Sequence, residues 1–296
     1  MSKVQYLRLI GRLYPDNRLK LRPGYLTDNF AGPPEDPQSS LVARLYDEED
    51  KLLLRYGVPT NPYCAVGKNL PELGVRAKVP FPQITRSIRF YRDDALVHEI
   101  KVRKGKPEVK LTWKPRKNLN RKQRIAWRGG HPEGQPLQYF LRYTRNDGKS
   151  WQRAGWRTEA TEQEIDFAQL PGGEQCRIAV VATDGVNTVM VESESFSVPI
   201  KPCVAMIFAP ADGASFGAEE KVLLRGQGFY LEENQAETER LIWTSSIDGE
   251  LGKGATLFVS ALSPGHHRIT LIAGTGKRAG EATTSVHFGK GIEQNE

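Results

Sequence analysis

Residues 137–151 read LQYFLRYTRNDGKSW, and this stretch decides the fold. Successive side chains of a β-strand point to opposite sides, so alternating apolar residues indicate a strand with one buried face. Asn146-Asp147-Gly148-Lys149 follows and is typical of a hairpin turn, because the chain needs positive φ angles there and glycine adopts them without steric cost. The stretch predicts two antiparallel strands, and the first has a face made of Leu137, Tyr139, Leu141 and Tyr143.

The same period of two continues through the rest of the chain, with no sustained helical stripe. Towards the amino terminus, two further hairpins are predicted with turns at 47–50 and 93–94. Short strands at regular spacing are typical of sandwiches, so we predict an all-β protein. In the last third the predicted strands are Val204–Phe208, Lys221–Arg225, Leu241–Ser245, Thr256–Ser260, His267–Ala273 and Thr283–Phe288.

Prolines mark the predicted boundaries between domains. Pro107 opens the middle third, and Pro199-Ile200-Lys201-Pro202 is suited to a stiff linker before the last third. Residues 31–38, AGPPEDPQ, cannot continue a strand and are predicted to form a loop. We therefore predict a β-rich sandwich-like domain at 1–105, a second domain at 106–199 and a third at 200–290.

The middle third resembles a fibronectin type III-like domain of bacterial multidomain proteins. The resemblance is carried by the 137–151 stretch, by Leu170-Pro171-Gly172-Gly173 and by the 182–188 segment, ATDGVNT. It implies a β-sandwich of five or more short strands, and such cores routinely contain a tryptophan.

The last third resembles a bacterial immunoglobulin-like domain of the PKD-like kind. The matching motifs are Pro210-Ala211-Asp212-Gly213, the 243–252 segment WTSSIDGELG and the 262–267 segment LSPGHH. The order of domains is similar to the accessory region at the carboxyl end of bacterial peptidases and surface proteins. The resemblance covers residues 107–288 and implies tandem immunoglobulin-like and fibronectin type III-like sandwiches, with a core Trp243 and a structural His267.

The chain departs from that resemblance in the loops that supply calcium ligands in many family members. Acidic clusters there provide hard oxygen ligands, but residues 128–135, RGGHPEGQ, contain one carboxylate. The corresponding 226–234 loop of the last domain keeps Glu232 and Glu233 without a regular series of aspartates. We predict no metal site.

The positive charge is concentrated in one segment. The 296-residue chain has a formal net charge of +7, and Lys101–Arg124 contains eleven basic residues against one acidic residue, Glu108. Such a segment can attract phosphates or an acidic protein surface, or it can be a solvated strand and linker that keeps a sheet edge from pairing. The candidate binding residues in it are Lys101, Arg103, Lys104, Lys114, Arg116, Lys117, Arg121 and Lys122.

A second candidate surface surrounds Trp156. It lies between Arg153 and Arg157, and Trp and Arg dominate binding hot spots in protein interfaces. The alternative is a tryptophan packed in the sandwich core. We take these three residues as candidate contacts with a protein partner.

The residue patterns of common enzymes are absent from the sequence. None of the five histidines lies in a His-Glu-x-x-His segment, and no serine lies in Gly-x-Ser-x-Gly. Cys64 has no flanking residues that indicate a nucleophile, and Cys176 and Cys203 fall on apolar strand faces. We predict no catalytic residue and no cofactor.

The sequence favours one function over two alternatives. The first is a non-enzymatic interaction or scaffold subunit of a bacterial complex that recognises a protein through loops and sheet edges. The second is an accessory partner or substrate of a peptidase, and the third is nucleic-acid binding through 101–124. No apolar run approaches the length of a membrane span, no secretory signal is visible, and the cysteines are odd in number. We expect a cytoplasmic location, or secretion if the chain is a fragment of a longer one.

Overall fold

The computed structural model describes residues 4–28, 32–62, 72–217 and 219–289. The contacts divide the chain into two compact units. Unit 1 comprises Met1–Pro115, Lys122–Ile165 and Arg177–Ser195, and unit 2 comprises Arg116–Arg121, Asp166–Cys176 and Phe196–Glu296. The three-domain boundaries at 105 and 199 stay a prediction.

Unit 1 begins with a sandwich of two sheets. Its strands are β1 (Tyr6–Leu13), β2 (Leu19–Leu21), β3 (Tyr25–Thr27), β4 (Leu41–Tyr46), β5 (Leu52–Gly57), β6 (Thr60–Pro62), β7 (Leu73–Pro80), β8 (Ser87–Arg92) and β9 (Ala95–Lys101). One sheet has the strand order β2-β1-β7-β6, with β3 also paired to β1, and the other has the order β5-β4-β8-β9. Both predicted hairpins are present, as the pairs β4–β5 and β8–β9.

The core of this first sandwich comes from the alternation read in the sequence. Leu7, Leu9 and Leu13 of β1 are buried together, and Ile88 and Phe90 of β8 belong to the same cluster. Asp93 and Asp94 have φ angles of 48° and 64°, in the left-handed region that a two-residue hairpin turn requires. The apolar side of each sheet therefore faces the core. Charged residues such as Arg8 and Arg76 alternate with the apolar residues along the strands and face outward.

The second sandwich has the strand order of a fibronectin type III-like fold. A three-stranded sheet, β10-β11-β14, faces the sheet β13-β12-β15-β16. The hairpin predicted around Gly148 joins β12 to β13, and Asp147 and Gly148 have φ angles of 56° and 80°. The strands in unit 1 are β10 (Glu108–Leu111), β11 (Lys122–Gly130), β12 (Gln138–Thr144), β13 (Gln152–Arg153), β14 (Glu162–Asp166), β15 (Gly173–Thr183) and β16 (Thr188–Glu192). A 3-10 turn (Phe167–Gln169), β17 (Phe196–Val198) and residues 166 and 173–176 of β14 and β15 fall in unit 2.

Unit 2 contains an immunoglobulin-like sandwich. Its elements are β18 (Val204–Ala209), β19 (Ala214–Phe216), β20 (Val222–Tyr230), β21 (Gln235–Glu237), β22 (Leu241–Ser245), β23 (Gly249–Lys253), β24 (Thr256–Val259), β25 (Gly265–Ala273), a 3-10 turn (Gly276–Arg278) and β26 (Gly280–Phe288). One sheet has the order β18-β20-β21, with β24 also paired to β20, and the other has the order β19-β26-β25-β22-β23, in which β19 runs parallel to β26. Trp243 is fully buried and donates its indole N–H to the carbonyl of Gly254 at 2.9 Å.

The predicted all-β fold of tandem immunoglobulin-like and fibronectin type III-like sandwiches is confirmed. Only the two 3-10 turns are helical in the described part of the chain, and it contains no helix with the length and hydropathy of a membrane span. All six strands predicted in the last third are present, while β19, β21 and β23 are too short or too polar for the period-two pattern to mark them.

Leu45→Ala tests whether the period-two pattern identifies the core. Leu45 is 0% exposed on β4, so its truncation leaves a cavity, and we expect the free energy of unfolding to fall by about 2 to 5 kcal/mol. Urea denaturation followed by circular dichroism measures this. Leu96→Ala on β9, 56% exposed, is the matched control and should stay within about 0.5 kcal/mol of the wild type. Equal losses in the two variants would contradict the assignment.

Candidate functional site

The basic stretch predicted at 101–124 is partly neutralised in the folded chain. Lys104 pairs with Glu48 and Arg124 with Glu162, while Lys122 Nζ lies 3.1 Å from a carboxylate oxygen of Glu164. Arg103 lies 4.0 Å from Glu133. The net positive charge that the 101–124 stretch presents at the surface is therefore smaller than its sequence indicates. Its role in binding stays a prediction, and the remaining exposed candidates are Lys101 and Lys114 in unit 1 and Arg116, Lys117 and Arg121 in unit 2.

Trp156 lies at the surface of unit 1. Its exposed fraction is 79%, the largest among the large apolar side chains of the described residues. The loop that carries it follows β13, an edge strand, and is held by a hydrogen bond from Arg153 Nε to the carbonyl of Gly155 at 2.8 Å. This geometry favours an interface residue over a core residue.

Unit 1 also contains a cavity of about 420 Å³ that the sequence did not reveal. Strands β1, β3 and β7 of the first sandwich and β12 and β13 of the second contribute to its wall. We name it the cationic cavity because seven basic side chains line it: Arg8, Arg22, Arg76, Lys78, Arg142, Arg153 and Arg157. No aspartate or glutamate is among the described residues that line it.

The strand register places like charges directly opposite each other in this wall. Arg8 of β1 faces Lys78 of β7, and Arg142 of β12 faces Arg153 of β13. Directly opposed like charges in an antiparallel pair are unfavourable, by roughly 0.2 to 1 kcal/mol for each pair. Two such pairs on one cavity are a feature that packing does not require.

Neutral acceptors position several of these arginines. Arg8 donates to the hydroxyl of Tyr25, and Arg157 donates to the carbonyl of Pro23 and to the side-chain oxygen of Gln138. These hydrogen bonds fix the guanidinium groups without compensating their charge. The field inside the cavity is therefore strongly positive.

The pKa shifts of two cavity residues reflect this field. The pKa of Lys78 is lowered, first by burial and then by the positive charges of Arg8, Arg76 and Arg142. The pKa of Arg157 is also lowered, chiefly by burial. Burial and neighbouring positive charges both disfavour the protonated form, which accounts for the direction of these two shifts.

Two aromatic rings form one side of the cavity. The ring centroids of Tyr25 and Phe140 are 4.9 Å apart, and the guanidinium carbon of Arg157 lies 5.7 Å from each centroid. Arg8 lies 5.5 Å from the Tyr25 centroid. Phe140 lies on the face of β12 opposite Tyr139 and Tyr143, yet it is also buried, and Tyr25 packs against it.

Residues 23–26 of the first sandwich contact the second sandwich beside this cavity. Thr183 donates its hydroxyl to the carbonyl of Gly24 at 3.0 Å, and the N–H of Leu26 donates to the hydroxyl of Thr188 at 2.8 Å. A Cβ atom at Gly24 would lie 2.7 Å from the carbonyl oxygen of Gly185, so a larger residue does not fit. The backbone of the first sandwich thus lies directly on the second.

The sequence identified two of the seven cavity residues, Arg153 and Arg157, and missed the other five. The missed residues are scattered over four segments, and all except Arg22 are single charges that alternate with buried neighbours, as in Val75-Arg76-Ala77-Lys78-Val79. A search for runs of charge cannot find such a cluster. The sequence could show only that these cations face outward. The pairing of the strands brings them to one cavity, and the sequence does not show that pairing.

The histidines and cysteines of the described chain have structural surroundings. His267 is buried, as the resemblance implied, with ring nitrogens 2.7 Å from the hydroxyl of Ser245 and 2.6 Å from the carbonyl of Ser263. His131 Nε2 lies 3.4 Å from Asp184 within unit 1. Cys176 and Cys203 are buried and unpaired, and Cys64 lies outside the described residues.

The loop of unit 2 that corresponds to a calcium site in the resemblance has another arrangement. Glu232 accepts the backbone N–H groups of Gly172 and Lys201 at 2.8 and 2.9 Å, and Arg278 lies 2.9 Å from both Glu232 and Glu233. One arginine thus contacts both carboxylates. The described residues contain no group of three or more His, Cys, Asp or Glu that could hold a metal ion.

Comparison with known proteins gives similarities of fold alone. No protein-family model and no curated protein matches the chain. Among solved structures, fibronectin(III)-like modules of Clostridium thermocellum CbhA are 12% identical, with 64% of this chain and 98% of that chain covered at a TM-score of 0.27. Fibronectin domains of chicken CNTN1 are 12% identical, with 84% and 90% covered at 0.22. A mutated variant of three titin Ig domains is 9% identical, with 98% and 99% covered at 0.24. We draw no functional conclusion from similarities of this size.

Lys78→Gln tests the field of the cationic cavity through stability. A lysine whose pKa is lowered by folding reduces the free energy of unfolding at pH values below its folded pKa. That penalty is lost as the pH rises towards the ordinary lysine value of about 10.4. We expect the variant to be more stable than the wild type at neutral pH, and the difference to shrink as the pH approaches that value.

Urea denaturation at a series of pH values measures this difference. Lys114→Gln removes the same charge from an exposed position outside the cavity and supplies the baseline. A variant that is less stable than the wild type at neutral pH, by more than this control, would contradict the expected repulsion.

Proposed function

We propose that the chain is a non-enzymatic interaction protein, a recognition or scaffold subunit of a bacterial cytoplasmic complex that binds a protein partner through loops and sheet edges. Rigid sandwiches suit this role because they hold loops in fixed positions. Immunoglobulin-like and fibronectin type III-like domains commonly mediate protein interactions. The resemblance of the domain order to peptidase accessory regions makes a peptidase one partner to test.

The observation that carries the proposal is the exposed Trp156 beside Arg153 and Arg157. A tryptophan that is 79% exposed leaves a large apolar surface in water, and its burial against a partner is strongly favourable. Arginine beside tryptophan is the composition of interface hot spots. β13, which ends just before this loop, is an edge strand, and an edge strand can pair with an extended segment of a partner.

The partial neutralisation of the basic stretch makes nucleic-acid binding the weaker alternative. Four of its cations contact carboxylates of β14 or of nearby turns, whereas a phosphate-binding face needs its cations available to release counterions. A protein partner therefore fits the described surface better than a nucleic acid.

Trp156→Ala tests the proposal in the cells from which the sequence derives. We expect proteins that cross-link to the tagged wild-type chain, measured by quantitative mass spectrometry, to fall by about tenfold or more in this variant, because hot-spot truncations cost 2 kcal/mol or more. Leu96→Ala removes another exposed apolar side chain of unit 1 and should retain them. Identical protein sets for Trp156→Ala and the wild type would refute the proposed surface, and recovery that is abolished by nuclease would favour nucleic acid instead.

A further inference from the structure

The cationic cavity has a charge balance that folding alone does not explain. Its two opposed pairs, Arg8 with Lys78 and Arg142 with Arg153, bring like charges together in two different sheets. The hydrogen-bond acceptors that position Arg8 and Arg157 are neutral groups. An anion bound there would be attracted by all of these cations at once, because their charges have the same sign.

The composition of the cavity favours phosphate over other anions. Six of its seven cations are arginines, whose planar groups offer paired N–H donors that match the oxygen atoms of phosphate. A phosphate group carries up to two negative charges and has several acceptor oxygens, so it concentrates more charge than a carboxylate. Seven cations around one space exceed the need of a single phosphate, which points to several phosphates close together.

The size and walls of the cavity favour a small molecule over a nucleic-acid strand. Its volume of about 420 Å³ lies within the range of small-ligand sites. Proteins that hold single strands stack bases on aromatic side chains. In this cavity Arg157 already lies over Tyr25 and Phe140, and Arg142 lies 6.0 Å from the ring of Trp151.

We propose that the cationic cavity binds a small molecule that carries two or more phosphate groups. The guanidinium groups of Arg76 and Arg142, contributed by the first and the second sandwich, hold the phosphates from opposite sides. The cavity and the Trp156 surface share Arg153 and Arg157 but differ in chemistry, and their tests change different residues, Arg76 and Arg142 for one and Trp156 for the other.

Calorimetric titration of the full chain with inorganic tripolyphosphate at low salt tests the proposal. We expect binding to the wild type, with an affinity that falls as sodium chloride is added, because bound phosphates replace screening ions. The double variant Arg76→Gln and Arg142→Gln should bind at least about tenfold more weakly, because each loses a charge-assisted contact. The control, Arg128→Gln with Lys110→Gln, removes two exposed charges outside the cavity and should change the affinity by less than about twofold. No binding to the wild type, or equal weakening in the two variants, would overturn the proposal.

Thermal unfolding keeps the test decisive if the substitutions disturb folding. We expect tripolyphosphate to raise the melting temperature of the wild type and not of the double variant. Without ligand the double variant should melt at the same temperature as the wild type or higher, because repulsion is removed. A large drop would show that the arginines serve the fold, and would count against a ligand site.

Parallel titrations identify the chemical class. Orthophosphate should bind at least about tenfold more weakly than tripolyphosphate, since fewer cations are engaged. A single-stranded oligothymidylate and a polyglutamate peptide should also bind more weakly than tripolyphosphate. Tighter binding of the oligonucleotide or of the peptide than of tripolyphosphate would overturn the assignment to a small phosphorylated ligand.

Discussion

The contact of segment 23–26 with the second sandwich is the constraint on which the rest of unit 1 depends. The carbonyl of Gly24 and the N–H of Leu26 are both hydrogen-bonded to hydroxyl groups of that sandwich, from Thr183 and Thr188. Tyr25, between them, packs on Phe140. Buried backbone groups must find partners, so this segment is bound to one position and one register. The position of the cationic cavity follows from it.

This docking explains how several positive charges can share one space. The repulsive energy of each opposed pair is small compared with the stabilisation that the buried apolar area and the hydrogen bonds of this contact provide. The fold therefore tolerates the repulsion. The neutral acceptors around Arg8 and Arg157 remove the cost of unmade hydrogen bonds and leave the charge in place. Unit 1 therefore combines a stable contact with a local electrostatic strain, which is the usual condition of a binding site.

In unit 2, a buried charge is compensated by its neighbours. Glu232 is buried, yet Arg278 and two backbone N–H groups satisfy it fully. Its acidic loop is thereby a structural feature of the sandwich. In the cationic cavity, by contrast, the described lining residues include no aspartate or glutamate.

The fold was predictable from the sequence because each strand carries its own information. Alternation at Leu7, Leu9 and Leu13, or around Gly148, depends on neighbours a few residues apart. The candidate site was predictable only in part. Trp156 and its two arginines are adjacent in sequence, whereas Arg8 and Arg142 meet only through the pairing of strands far apart in the chain. Sequence alone also could not show that carboxylates on other strands neutralise Lys104 and Arg124.

The measurement that tests this account most directly is the pKa of Lys78, followed by nuclear magnetic resonance at its side-chain nitrogen. Lys78 belongs to the first sandwich and Arg142 to the second, so a coupling between them exists only if the two meet at one cavity. We expect a pKa below the ordinary lysine value in the wild type and a higher one in Arg142→Gln, with no change in the exposed control Arg128→Gln. An ordinary value in the wild type, or the same value in both variants, would contradict the shared cationic cavity.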